Sequence, residues 1–207
     1  RLAYTHGYRT LAESFRPLLF VILGIGHMGL PQSFSIGRKD FETPLGRARV
    51  DREFLAELDR QLPGNVFAED LSHRSEHTIE FQILFLQQWL GDSFTFLPIL
   101  SSFSYAEIFP GSPVQKRIEQ MVEGLQAAEE SLGKKACYIA SVDLAHIGPR
   151  YGDGFRPTPE TVESQREKDR RMLDILVSQD AGAFLENIRA ERDERRICGF
   201  PALYTLR

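Results

Sequence analysis

The chain has 207 residues, is 42% hydrophobic and 26% charged, and carries a formal net charge of −4. That size and balance suit one α/β domain with a substantial core rather than a disordered chain. Acids and bases are interspersed with no basic block, which argues against nucleic acid or an anionic membrane as partner. Apolar runs such as residues 18–25 and 96–100 are far too short to span a bilayer.

The start lacks the basic region, apolar stretch and cleavage site of a signal peptide. Two cysteines, Cys137 and Cys198, make no disulfide framework, so a reducing, cytoplasmic setting is expected. Arg1 is not an initiator methionine, and residues 198–207 read as a helix still running. The expectation is therefore one domain over residues 1–207, incomplete at its C-terminal end and with gaps.

From the N-terminus, the apolar run 18–25 predicts a central strand buried on both faces. It leaves through Gly24-Ile25-Gly26-His27, where glycine frees the backbone for a sharp turn. Residues 40–50 read as a loop with a Pro/Gly turn. Asp51 caps a helix through Phe54, Leu55, Leu58 and Leu62, which Pro63-Gly64 ends. Residues 66–71 suggest a short strand. Ser75 opens a well-buried helix over residues 76–90, with Ile79, Ile83, Leu86 and Leu90 in its apolar stripe. A strand over residues 94–100 is broken by Pro98. Ser112-Pro113 starts a helix to about Leu132, proline suiting the first helical position. Residues 135–142 form a buried strand that delivers Asp143-Leu144-Ala145-His146. Pro159 starts a charged helix to about Val177, and residues 181–190 form another. The charged stretch 189–196 reads as solvated surface. Apolar runs alternating with amphipathic stretches predict a single α/β domain, a central, mostly parallel sheet flanked by helices.

Of five histidines, three stand at element boundaries: His27 after a strand, His77 in the first turn of a helix, and His146 after a strand. Sites in open α/β sheets form outside the carboxyl ends of the strands. Each residue also has a plain reading. His27 alone is as consistent with an exposed loop histidine, His77 with a helix-surface residue flanked by carboxylates, and Asp143 with a strand-end turn. Glu80, three positions beyond His77, is close enough to orient its ring. His73 and His77 are four apart, but the helix start falls between them, so they do not form a His-x-x-x-His zinc pair. Cys137 lies in an apolar run and reads as an inert core thiol. Cys198 precedes a helix start with Pro201 in its first turn, and a low-pKa thiolate wants a helix N-terminus or a metal. Imidazoles with a thiolate suit a soft or borderline cation: iron, zinc or copper.

Five ordered segments carry a family resemblance: Leu23-Gly24-Ile25-Gly26-His27; Phe41-Glu42-Thr43-Pro44-Leu45-Gly46; Asp70-Leu71-Ser72-His73-Arg74-Ser75-Glu76-His77-Thr78-Ile79-Glu80-Phe81-Gln82; Ser141-Val142-Asp143-Leu144-Ala145-His146-Ile147-Gly148-Pro149-Arg150-Tyr151-Gly152; and Ile197-Cys198-Gly199. The chain resembles the Memo family, whose bacterial and archaeal members are named AmmeMemoRadiSam system protein B. The resemblance implies a fold similar to the class III extradiol dioxygenases, which use non-haem iron. It implies His27, His77 and Cys198 as metal ligands, with iron the expected ion, and Asp143 and His146 lining the same pocket, His146 as acid/base. His73, Glu80 and His6 stand as supporting residues around it. The family's opening Pro-His-Ala-Gly-Tyr is Thr5-His6-Gly7-Tyr8 here, and its Gly-Pro-Ser/Asn-His is Gly24-Ile25-Gly26-His27.

The functional expectation is thus a metal-dependent redox protein, similar to an oxidoreductase or dioxygenase, acting on a small molecule or a peptide. The facial triad of iron oxygenases is two histidines and a carboxylate, so cysteine in third place sets this chain apart from ring-cleaving enzymes. The alternative implied by the resemblance is a non-catalytic peptide-binding module using the old cleft. It needs a basic rim, for which Arg47, Arg49, Arg74 and Arg150 are candidates, although ordinary solvated surface explains them more simply. The family's naming also implies a radical SAM pathway protein as partner.

Overall fold

A computed structural model of the chain describes residues 2–14, 18–62 and 70–206. Strand β1 (Leu19–Ile25) is apolar throughout and buried along its whole length. Such a run needs both faces and both edges covered. On one side β1 pairs in parallel with β5 (Thr95–Ser101), and on the other with β6 (Cys137–Ala140). Beyond β5, β4 (Gly46–Val50) runs parallel to its first half and β2 (Phe34–Ile36) antiparallel to its second. Strand β3 (Phe41–Thr43) closes the edge against β4. The strand order is β3-β4-β5-β1-β6, with β2 beside β5. The expected α/β class with a mostly parallel sheet is what the chain forms.

Pro98 does not break its strand. Alternate residues of β5 face its β4/β2 edge: the Phe96 carbonyl accepts from Asp51 N and the Pro98 carbonyl from Gly37 N, both at 3.0 Å. Pro98 lies where β4 has ended and β2 has not begun, so its missing N–H falls in a junction that needs no ladder donor.

Helices α1 (Leu2–Ser14), α2 (Arg52–Gln61), α3 (Thr78–Leu90), α4 (Pro113–Leu132), α5 (Pro159–Val177), α6 (Ala181–Ala190) and α7 (Phe200–Thr205) flank the sheet. Local chemistry sets several of their ends. Asp51 accepts from Phe54 N at 2.9 Å and Ser112 from Gln115 N at 3.0 Å, each satisfying a helix-start donor. Gly133 closes α4 with φ 61°, a left-handed cap that favours glycine. Among the described residues no helix is long and apolar enough to cross a membrane.

Further expectations need correction. Residues 40–50 are the β3–β4 hairpin rather than a loop, because Ala48 and Val50 alternate inward. Helix α3 starts at Thr78, with His77 in the N-cap position. Ser75 instead closes the 3₁₀ turn Asp70–Arg74 through a bond to the Ser72 carbonyl. That turn takes the end of the expected 66–71 strand; the rest of it, and Pro63-Gly64, lie outside the described residues. The charged stretch 189–196 is not all solvated. Arg195 is 2% exposed and pairs with Asp169 of α5 and with Glu191. Finally, α1 is a helix that no apolar periodicity announces. Tyr4 and Tyr8 stack on Phe85 of α3, at 5.0 and 5.3 Å between centroids.

Candidate metal centre

The site sits over the carboxyl ends of β1 and β6, where α3 begins. Helix α3 approaches this closely because of Gly24. A Cβ there would lie 2.4 Å from Thr78 Oγ1 and 2.9 Å from Ile79, so only glycine lets the helix start settle on the strand. Thr78 Oγ1 then accepts from Ile25 N at 3.2 Å, and the Thr78 carbonyl accepts from Ser141 Oγ at the end of β6. Gln82 donates to Ser141 Oγ at 2.7 Å, and Tyr8 donates to Gln82 Oε1 at 2.8 Å. This buried chain of bonds fixes β1, β6, α3 and α1 in one register, and buried polar groups so satisfied rigidify the elements they join.

Within that frame His27 and His77 stack, their centroids 5.6 Å apart and their rings 7° from parallel. His77 also meets Phe81 edge-on at 5.6 Å. Glu76 holds His27 twice: its carboxylate accepts from the His27 backbone N–H at 2.7 Å and from Nδ1 at 2.8 Å. An ionised carboxylate only accepts, so Nδ1 carries the proton and Nε2 presents the lone pair. The Glu76 side chain is 7% exposed, so this hold is largely shielded from water. Donor atoms of His27, Glu76 and His77 lie within 4.8 Å of one another, a geometry able to hold a metal ion.

Cys198 faces the same small pocket, of about 160 Å³, together with His27, His77, Tyr4, Phe81 and Asp143. Its thiol lies 4.0 Å from the Asp143 carbonyl and outside the tight His–Glu–His group. Burial pushes the thiol above its ordinary range, so the unmetallated pocket favours S–H, and a cation is what would make it a thiolate. Gly199 lets the cysteine in. A Cβ on Gly199 would lie 2.6 Å from Val142 Cβ and 2.9 Å from the Asp143 carbonyl.

The other expected residues divide. Asp143 lines the pocket, and its carboxylate lies 3.9 Å from His146 Nε2. His146 stands behind it, half-buried and edge-on to Tyr151 at 4.8 Å. Its Nδ1 donates to the Arg196 carbonyl at 2.9 Å, and Nε2 is the ring nitrogen that faces Asp143. His73 and Glu80 line a separate cleft with Asp40 and Asp70; His73 Nε2 donates to the Ser35 carbonyl at 3.1 Å, and burial keeps its ring below the ordinary imidazole range. His6 is exposed on α1, and it is Tyr4 of that helix that reaches the pocket. The residue that sequence reasoning underused is Glu76. It was visible only as a neighbour of His77, because its partner lies 49 positions away.

A family profile described as "Memo-like protein" matches residues 2–206. The chain belongs to the Memo family. The "MEMO1 family protein" of Methanopyrus kandleri is 30% identical over 196 residues, covering 94% of this chain and 60% of that protein. One from Pyrococcus furiosus is 31% identical, covering 88% and 61%, and one from Ignicoccus hospitalis is 33% identical, covering 84% and 53%. The chain thus spans about six tenths of the length of the Methanopyrus kandleri and Pyrococcus furiosus proteins. Its Memo motifs map onto structure: Gly-His at the exit of β1, Glu-His-Thr at the start of α3, Asp-Leu-Ala-His beyond β6, and Ile-Cys-Gly ahead of α7.

Glu76→Gln tests the hold on His27. Glutamine keeps the shape but offers one acceptor where two donors need one. Metal affinity is expected to fall by about 10- to 100-fold, the usual cost of losing a carboxylate behind a ligating histidine. Zinc titration with a competing chelator reads this directly; an unchanged affinity removes Glu76 from the site.

Proposed function

We propose that this Memo-family chain is a metal-binding protein of redox type, holding non-haem iron through His27, His77 and Cys198. The observation that carries the reading is the carboxylate-held His27, with Nε2 free, stacked on His77 in a pocket that the Cys198 thiol shares. The donors fit such an ion: two imidazoles and a buried thiol suit a soft or borderline cation, and Glu76 supplies the supporting hydrogen bond that ligating histidines use. Bound iron would supply electron transfer and Lewis acidity at this spot.

The protein's own groups have distinct parts. Glu76 fixes the tautomer and angle of His27. Thr78 and Ser141, through their buried bonds, hold the α3 start over the strand ends, which fixes His77 relative to Asp143. Asp143, 79% exposed in its side chain, passes protons between the pocket and water, and His146 Nε2 takes them up. A larger cleft of about 510 Å³ shares His27 and Cys198 with the pocket and offers room for a substrate. Two histidines and Glu76 also match the donor types of iron oxygenases. Both Glu76 oxygens are already engaged by His27, which supports cysteine as third ligand. The family's naming adds a radical SAM pathway protein as partner.

The direct test is metal analysis of protein purified anaerobically without added metal, with an electron paramagnetic resonance spectrum. Stoichiometric iron with a thiolate-ligated signal is the expected result. A metal-free pocket that also rejects added iron ends the proposal.

A further inference from the structure

We infer that the larger cleft takes a small organic ligand bearing a cationic group, such as a protonated amine, and that Glu107 and Asp193 select for it. The inference rests on the metal reading only for the ligand's end that meets His27 and Cys198.

Glu107 ends the turn Tyr105–Glu107, and Asp193 stands in the loop before Cys198; both line the cleft. Phe103 and Tyr105 line it too and give a carbon body an apolar flank. No lysine or arginine is among the described residues lining this cleft or the metal pocket, while Asp143 adds a third carboxylate. Of the guanidinium groups nearest in sequence, Arg192 is exposed and three others are held by other partners, Arg196 also lying close enough to Asp193 to feel its charge. Arg189 bonds the Ile108 carbonyl and Glu186, Arg195 is buried on Asp169 and Glu191, and Arg196 holds Asp153 and the His146 carbonyl. The four arginines considered for a basic rim, Arg47, Arg49, Arg74 and Arg150, do not line the cleft.

Both selecting carboxylates are held in place. Glu107 accepts from Ser104 N at 2.7 Å, closing a capping box, and Asp193 accepts from Ile197 N at 2.8 Å. Each bond uses one oxygen and keeps the group aimed. Asp193 itself sits at φ 50°, between Arg192 at 49° and Arg196 at 49°. Left-handed backbone at non-glycine residues costs free energy, and Asp193 of this loop lines the cleft together with Cys198. Like charges at the rim repel an anionic ligand and attract a cationic one, which sets specificity more than raw affinity.

The test uses three catechols with the same chelating diol: dopamine, 4-methylcatechol and 3,4-dihydroxyphenylacetate, which are cationic, neutral and anionic. Each is titrated into iron-loaded protein by calorimetry, with the visible iron–catecholate band recorded in parallel. Dopamine is expected to bind tightest and 3,4-dihydroxyphenylacetate weakest, by on the order of tenfold, since exposed carboxylates act through water. In Glu107→Gln, and in Glu107→Gln with Asp193→Asn, the gap is expected to shrink stepwise while 4-methylcatechol binding is unchanged; the amides retain the acceptors that hold the turn and the loop. Equal affinities, a preference for the anion, a gap that survives both amides, or no heat with any of the three overturns the inference. Phenyl phosphate binding ahead of dopamine overturns it in favour of a phosphate-recognising site. Dopamine preference without a colour band overturns the metal reading and leaves this one standing; a band without charge preference does the reverse.

Discussion

Cys198→Ala is expected to lower metal affinity by at least about 100-fold, more than loss of a supporting group alone, because it removes a donor rather than its orientation. The thiol is the softest atom in the pocket, and it faces His27 and His77 across about 160 Å³. Alanine there leaves two imidazoles and the engaged Glu76, a set that holds a divalent ion weakly. Cys137→Ala is the matched control. That thiol sits on β6, burial pushes its pKa to about 11, and its removal should leave metal content unchanged. Metal analysis by mass spectrometry on both variants checks the pair. Full occupancy in Cys198→Ala contradicts the proposed ligand set.

Gly199→Ala is the second large effect, and it acts through space rather than chemistry. Gly199 has φ −68°, so alanine brings no backbone strain. Its Cβ would instead collide with Val142 Cβ at 2.6 Å and the Asp143 carbonyl at 2.9 Å, and backbone cannot step aside as a flexible side-chain tip can. Overpacking of this kind costs about 1–3 kcal/mol. For a chain of this size that is about 2–4 °C of Tm per kcal/mol. Relieving the clash moves Cys198 away from Asp143, so weaker metal binding should accompany the lower Tm. Gly154→Ala, where an added Cβ meets nothing within 4 Å, should change neither. Differential scanning calorimetry with a chelator titration measures both. A Gly199→Ala protein with full stability and full metal affinity would show that the close approach is unimportant.

The two predictions differ in how visible their basis was beforehand. Cys198 stood out by residue type beside a helix start, and the family motif named it. Gly199 was only the next letter of that motif. Its purpose lies in a contact with residues 142 and 143, more than fifty positions earlier.

The same division runs through the molecule. By itself the sequence determined the features that depend on neighbours along the chain. The uninterrupted apolar run made β1 a strand buried on both faces, Asp51 and Ser112 capped the helices they precede, and Pro113 suited a first helical turn. Element boundaries marked His27, His77 and His146, a helix start marked Cys198, and the ordered motifs fixed which of these count. Only the tertiary structure decided what distant residues do together. Pro and Gly in residues 40–50 signal a turn whether or not strands flank it, and the partner β5 made it a hairpin edge. Arg195 looked solvated within a charged run until Asp169, 26 positions away, gave it a buried partner. Glu76 became the holder of His27, and Glu107 and Asp193 came to share one cleft, through loops that bring strand ends together. Local propensity reaches about one turn or one strand pairing; side-chain contacts across the sheet depend on packing that no short window contains.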